Sequence, residues 1–114
     1  MGTAFKPNTD DVRDSISIEL IKKLLKMKAS ITIYDPRATE NTRKIFGKKI
    51  SYEDSIINAL DNSQCAIFMT YWKEFENINE KAIKNMKRKL IIDCRRIFSG
   101  KNLDVDYFGL GIGQ

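Results

Sequence analysis

The chain has 114 residues, of which 42% are hydrophobic and 31% charged, with six Gly, two Pro and no His. That is the length of one domain, residues 1–114, with enough chain for a core, and the composition excludes collagen, low-complexity disorder and a disulfide scaffold. Twenty Lys and Arg against fifteen Asp and Glu leave a formal charge of +5, which favours anionic ligands without identifying one. No apolar run approaches the roughly 18 residues that a membrane helix needs, and residues 1–7 lack the apolar stretch of a signal peptide, so the expectation is a cytoplasmic protein with no membrane contact.

In chain order, residues 2–13 read as a loop. A doubly wound domain opens on a strand that runs into its first turn. Only the first few residues are available for one here, so the first strand is expected to be truncated, either clipped or a piece of something longer. Asp14 and Ser15 offer N-caps for a helix to about residue 27, with Leu20, Ile21, Leu24 and Leu25 on one face. Ser30-Ile31-Thr32-Ile33-Tyr34 is a short β-branched strand ended by Asp35-Pro36. The stretch from Thr39 to Phe46 predicts a short helix closed by Gly47. Ile50 marks a brief strand, and Ser51 with Asp54 suggests an acidic capping box for a helix carrying Ile56, Ile57 and Leu60.

Cys65-Ala66-Ile67-Phe68-Met69-Thr70 and Leu90-Ile91-Ile92-Asp93 are apolar strands on either side of a helix over residues 79–87. Tyr107-Phe108-Gly109-Leu110-Gly111 predicts an edge strand. Uninterrupted apolar strands separated by helices indicate a parallel sheet covered on both faces, a three-layer α/β sandwich of Rossmann type.

The absence of His excludes Ser-His-Asp and Cys-His catalysis and His-containing zinc sites within this chain. Cys65 and Cys94 read as buried, unpaired thiols, and no companion soft ligand makes them a metal pair. The basic run Lys84-Asn85-Met86-Lys87-Arg88-Lys89 reads as a solvated helix end, since no aromatic residues interleave with its charges as nucleic-acid stacking would require.

In open parallel sheets ligands lie beyond the carboxyl ends of the strands, which points to four loops. In the first, Lys6 offers a phosphate a point charge and Arg13 a bidentate fork, unless Arg13 pairs with Asp10 or Asp11 to fix the turn. In the second, Asp35 stands where a nucleotide ribose is held, but the first loop lacks G-x-G-x-x-G and Asp35-Pro36 equally makes a turn. In the third, Trp72 beside Tyr71 and Phe75 either stacks on a base or caps the core. In the fourth, Arg95 and Arg96 follow a buried strand, and on an extended chain only one of them reaches a given ligand. Lys6 and Arg95 together can clamp a diphosphate. No general base or nucleophile accompanies them, so no catalytic residue is expected.

Gly2-Thr3-Ala4-Phe5-Lys6-Pro7-Asn8-Thr9-Asp10-Asp11-Val12-Arg13-Asp14-Ser15 closely resembles the G-L-A-F-K-P-x-T-D-D-x-R-x-S signature of the nucleotide-sugar dehydrogenase family, which opens that family's C-terminal, UDP-binding domain. Ile33-Tyr34-Asp35-Pro36 resembles its V-x-Y-D-P, Thr70-Tyr71-Trp72-Lys73-Glu74-Phe75 its T-E-W-x-x-F, and Ile92-Asp93-Cys94-Arg95-Arg96-Ile97-Phe98 its I-D-G-R-N-x-F. The closing Tyr107-Phe108-Gly109-Leu110-Gly111 resembles its final Y-x-G-I-G.

The resemblance implies the UDP-binding part of an enzyme that oxidises the C6 hydroxyl of a UDP-sugar to a carboxylate while reducing two NAD. Phe5, Lys6 and Arg95 would then contact the UDP-sugar, and Arg13 would approach NAD across a domain interface. It places NAD mainly on an N-terminal domain, the nucleophilic Cys upstream of the signature, and dimerisation on a central helix. Alone, such a chain is expected to bind and not to catalyse. Tyr71 stands where the family has Glu, Cys94 where it has Gly, and Arg96 where it has Asn. Cys94 is expected to crowd the backbone beside Arg95. The alternative is a stand-alone interaction or regulatory module that kept the fold and lost the ligand, and a nucleic-acid binder is the weakest reading.

Overall fold

The computed structural model describes residues 1–110, and the last residue of the expected edge strand, Gly111, lies outside them. Helix α1 spans Ile16–Lys26, strand β1 Thr32–Ile33, α2 Thr39–Phe46, β2 Ser51–Tyr52 and α3 Ile56–Leu60. Then follow β3 Ala66–Phe68, α4 Glu80–Ile83, β4 Leu90–Asp93 and β5 Asp106–Gly109. Every pairing is parallel, β1 with β2 on one side and β3 with β4 with β5 on the other.

Met1 and Gly2 join the two groups. The Met1 nitrogen donates to the Ile67 carbonyl and Met69 N donates to the Met1 carbonyl, both at 2.9 Å, which is the pattern of a parallel bridge to Phe68. On the other side Gly2 N donates to the Tyr34 carbonyl at 2.8 Å. The ribbon therefore runs β2, β1, residues 1–2, β3, β4, β5, the doubly wound order with residues 1–2 in the first strand's place.

The helices divide as right-handed crossovers require. Ile18 and Ile21 of α1 and Phe46 of α2 bury with Ile33 and Ile50 in one cluster. Ala59 and Leu60 of α3 and Ala82 and Ile83 of α4 bury with Phe68, Phe75, Ile91 and Phe98 in another. Ile33 belongs to the first cluster and its neighbour Tyr34 to the second, and successive strand residues point to opposite faces, so the clusters lie on opposite sides of the sheet. This is the three-layer α/β arrangement the apolar runs imply.

Coverage is uneven. Along β4, Ile91 and Asp93 are buried while Leu90 and Ile92 are only half-buried, and on β5 Phe108 is 59% exposed. The crossovers put α3 and α4 on one face only, so the expectation of a sheet buried on both faces holds for one side of β3 and β4 and fails at the edge strand β5, all of whose residues are exposed.

Local chemistry explains the boundaries that differ from the sequence reading. Ser15 occupies the N-cap of α1 but its hydroxyl donates to the Thr3 carbonyl instead of capping. Ser51 lies inside β2, and the cap of α3 is Ser55, whose hydroxyl accepts from Asn58 N at 3.1 Å. Helix α4 stops at Ile83, four residues into the predicted span, after Asn79 caps it. The basic run over residues 84–89 is thus a turn into β4, where Lys87 N donates to the Ser63 carbonyl and Met86 is buried.

Candidate functional site

Reversal of strand order falls between residues 1–2 and β3, the place where an open α/β sheet leaves a crevice at the carboxyl ends of its strands. A cleft of about 640 Å³ opens there. Its walls are the loop after residues 1–2 (Ala4, Phe5, Lys6, Pro7), the start of α1, the loop after β3 (Met69, Thr70, Tyr71) and the loop after β4 (Cys94, Arg95, Arg96).

The first loop is held from below. Gly2 has φ +89°, and a Cβ there would stand 2.7 Å from Thr70 Cβ, so glycine alone lets the chain pass β3 and turn into the loop. Asp35, 4% exposed at the end of β1, accepts from Thr3 N, Ala4 N and Trp72 Nε1 with one oxygen and from Arg37 N and Ala38 N with the other. Hydroxyls tie down the carbonyls beside it: Ser17 to Gly2, Ser15 to Thr3 and Thr70 to Ala4, at 2.8 to 2.9 Å. Asp35 is therefore the turn-former, with its carboxylate fully engaged, and Trp72, 6% exposed with its indole on Asp35, is core and not a stacking platform.

Asp93 does the same work for the fourth loop. Its side chain is fully buried at the end of β4 and accepts from Arg95 N, Phe98 N and the Tyr107 hydroxyl. Burial, then the hydrogen bond to Asp93, pushes the Tyr107 hydroxyl up to about 12. The backbone wraps this carboxylate and is not extended, so Arg95 and Arg96 both line the cleft, against the expectation that only one would face it. Arg95 Nε donates to the Met69 carbonyl at 2.7 Å, which ties the third loop to the fourth. Cys94 is 3% exposed, and burial followed by the nearby Asp93 charge pushes its thiol up. It needs no left-handed backbone and donates its N–H to the Phe68 carbonyl at 3.0 Å, so a side chain at this position does not crowd the loop as expected.

Of the four residues singled out from the sequence, Phe5, Lys6 and Arg95 are brought together on this cleft. Phe5 is 49% exposed, and Lys6 is exposed and makes no ion pair among the described residues. Arg13 stands apart. Its guanidinium is held by the Asp11 carboxylate at 2.9 Å, the turn-fixing pairing left open above, and that partner holds Asp11 down at about 2. Sequence reasoning named Arg96 and Tyr71 in these loops without assigning either to the site, and both line the cleft, the Tyr71 hydroxyl donating to Glu76. It missed the supporting hydroxyls of Ser15, Ser17 and Thr70, for which the sequence carries no local signal.

A second cleft of about 530 Å³ lies beyond β1 and β2, lined among others by Arg37, Glu40, Arg43, Tyr52, Glu53 and Asp54. Arg43 pairs with Glu40 at 3.2 Å and lies 4.3 Å over the Tyr52 ring, and with Asp35 the lining holds four acids against two arginines among the described residues, which disfavours an anion.

A doubly wound parallel sheet with a cation-lined crevice at its switch point defines a nucleotide-binding class of α/β domain. The sequence model of the UDP-glucose/GDP-mannose dehydrogenase family, UDP binding domain, matches residues 1–100. The chain is 42% identical to the UDP-glucose 6-dehydrogenase AglM of Haloferax volcanii over 96% of its own length and 25% of that protein. With the UDP-glucose 6-dehydrogenase of Rickettsia bellii it shares 36% identity over 91% of its own length and 24% of that protein. A solved UDP-glucose dehydrogenase from Pyrobaculum islandicum superposes with a TM-score of 0.80 at 31% identity, covering 95% of this chain and 23% of that one. The chain belongs to the UDP-glucose/GDP-mannose dehydrogenase family and corresponds to its UDP-binding domain. It spans about a quarter of the length of the curated relatives it matches.

Proposed function

We propose that residues 1–114 act as one UDP-binding unit of an NAD-dependent nucleotide-sugar 6-dehydrogenase, with Phe5, Lys6 and Arg95 contacting the UDP-sugar. The observation that carries the reading is the meeting of the Phe5-Lys6-Pro7 loop and the Arg95 loop on one cleft at the switch point. Lys6 offers a phosphate three donors and one charge, Arg95 a guanidinium already fixed at Nε, and the half-exposed Phe5 ring an apolar face for the base. A charge-assisted contact of this kind contributes roughly 1.5–3 kcal/mol when shielded from water.

NAD does not fit this chain as a dinucleotide held on its own first turn. That turn reads Phe5-Lys6-Pro7 with no glycine-rich cradle, and the Asp35 carboxylate, which would take a ribose, is spent on five donors. Arg13, outside the cleft with its side chain 86% exposed and paired with Asp11, would meet a cofactor carried elsewhere. The chain alone binds and does not oxidise, and nothing in its fold favours the alternative of an interaction module without a ligand.

Calorimetric titration with UDP-glucose, ATP and duplex DNA tests this. The expected result is binding of UDP-glucose in preference to both others, weakened about tenfold in Lys6→Ala. DNA binding that falls steeply with salt, with no response to UDP-glucose, would sink the reading.

A further inference from the structure

The loop after β4 carries a cation at a position its backbone disfavours. Arg96 has φ +58°, a left-handed conformation that costs every residue but glycine and is tolerated best by Asn and Asp. The conformation follows from the wrap of residues 95–98 around the Asp93 carboxylate, which accepts from both Arg95 N and Phe98 N. Nothing in that wrap requires a guanidinium at its turning point. Arg96 is exposed and forms no ion pair among the described residues.

What the position does give is a third cation on the switch-point cleft. Lys6, Arg95 and Arg96 line it, and Asp14 is the one acid among the described lining residues. On an extended strand consecutive side chains diverge. The left-handed turn is what lets neighbouring arginines share one cleft.

We infer that Arg96 is a further ligand-contacting residue, binding the diphosphate of the nucleotide beside Lys6 and Arg95. The inference rests on the nucleotide-binding reading above and adds to it a residue that the family pattern, with Asn at this position, does not supply. Arg96 then acts on affinity for the phosphates and not on recognition of the base.

The test is calorimetric titration of the chain, Arg96→Asn, Arg96→Lys and Lys6→Ala with UDP, inorganic pyrophosphate and uridine, alongside thermal melts. Arg96→Asn should weaken UDP and pyrophosphate about tenfold, as expected for one charge-assisted hydrogen bond in a partly open cleft. Its response to uridine should match that of the parent chain. Its melting temperature should rise by roughly 2–6 °C, because Asn relieves the left-handed backbone. Arg96→Lys should recover part of the affinity with no rise in melting temperature. Opposite signs for stability and affinity are the signature, since a merely structural arginine would move only the melt. If Arg96→Asn binds UDP as the parent does while Lys6→Ala is weakened, the inference is overturned and the nucleotide-binding reading stands. If the parent chain binds neither UDP nor pyrophosphate, both are overturned.

Discussion

At the carboxyl edge of the sheet the chain forms two clefts of similar size, about 640 Å³ at the switch point and about 530 Å³ beyond β1 and β2. The second brings two arginines against Asp35, Glu40, Glu53 and Asp54, and Arg43 is already occupied by Glu40 and the Tyr52 ring. The first lines up Lys6, Arg95 and Arg96 against Asp14 alone among the described residues. Size therefore does not separate the two, while position favours the first, which stands at the switch point. Charge balance separates them further: the second cleft sets two arginines against four acids, and the first sets three cations against one acid, a surplus that attracts an anion.

The sharpest way to break this contrast is to remove what holds both clefts in shape. Asp35 sits between them, and its carboxylate orders the first loop on one side and Arg37 and Ala38 on the other. Asp35→Ala should strand buried donors and cost about 3–5 kcal/mol by urea unfolding, as other buried hydrogen-bonded charges do. A loss below about 1 kcal/mol would mean that the loops do not depend on it.

Next in size, Lys6→Ala should leave the urea midpoint unchanged while UDP affinity falls about tenfold, near 1.4 kcal/mol. Removing the corresponding charge from the other cleft gives the control. Arg43→Ala should lose only an exposed ion pair and a cation–π contact, about 0.5–1 kcal/mol of stability, with no change in UDP affinity. A fall in affinity there would erase the distinction between the clefts.

The smallest effect concerns Arg13, which lies in neither cleft. Asp11 is held at about 2 from an ordinary 3.8 by the hydrogen bonds from Arg13. A carboxylate with a depressed folded value contributes stability that is fully present above its unfolded value and is lost as pH falls through the folded one. The window is therefore about pH 4 down to about 2. An NMR titration of the Asp11 carboxyl should show a midpoint near 2 that rises in Arg13→Ala but stays below the ordinary carboxylate value, because the backbone N–H of residue 13 still donates to Asp11.

Much of the fold was legible in the sequence because period and composition carry it. The β4 limits and the whole of α2 with its closing Gly47 follow from apolar runs and a helix-terminating glycine. Short elements were harder, since capping is decided by competition for hydroxyls. Ser15 prefers the Thr3 carbonyl, and Ser55 takes the role assigned to Ser51.

For the candidate site, residue types and the family resemblance point to Lys6 and Arg95, because a cation at a strand's carboxyl end has few purely structural duties. Arg96 was not legible. Its direction depends on a left-handed turn imposed by the Asp93 carboxylate through contacts that no local pattern encodes. Asp35 and Trp72 carried two readings each in the sequence, and their mutual hydrogen bond decides both for structure.

The central claim is that the surplus of charge at the switch point makes that cleft, and not its neighbour, the nucleotide site. Backbone amide shifts on titration with UDP test it most directly. The account predicts perturbations gathered at Phe5, Lys6, Tyr71, Arg95 and Arg96, with Arg43, Tyr52 and Glu53 unmoved. Shifts centred on the second cleft, or none at saturating UDP, would contradict it.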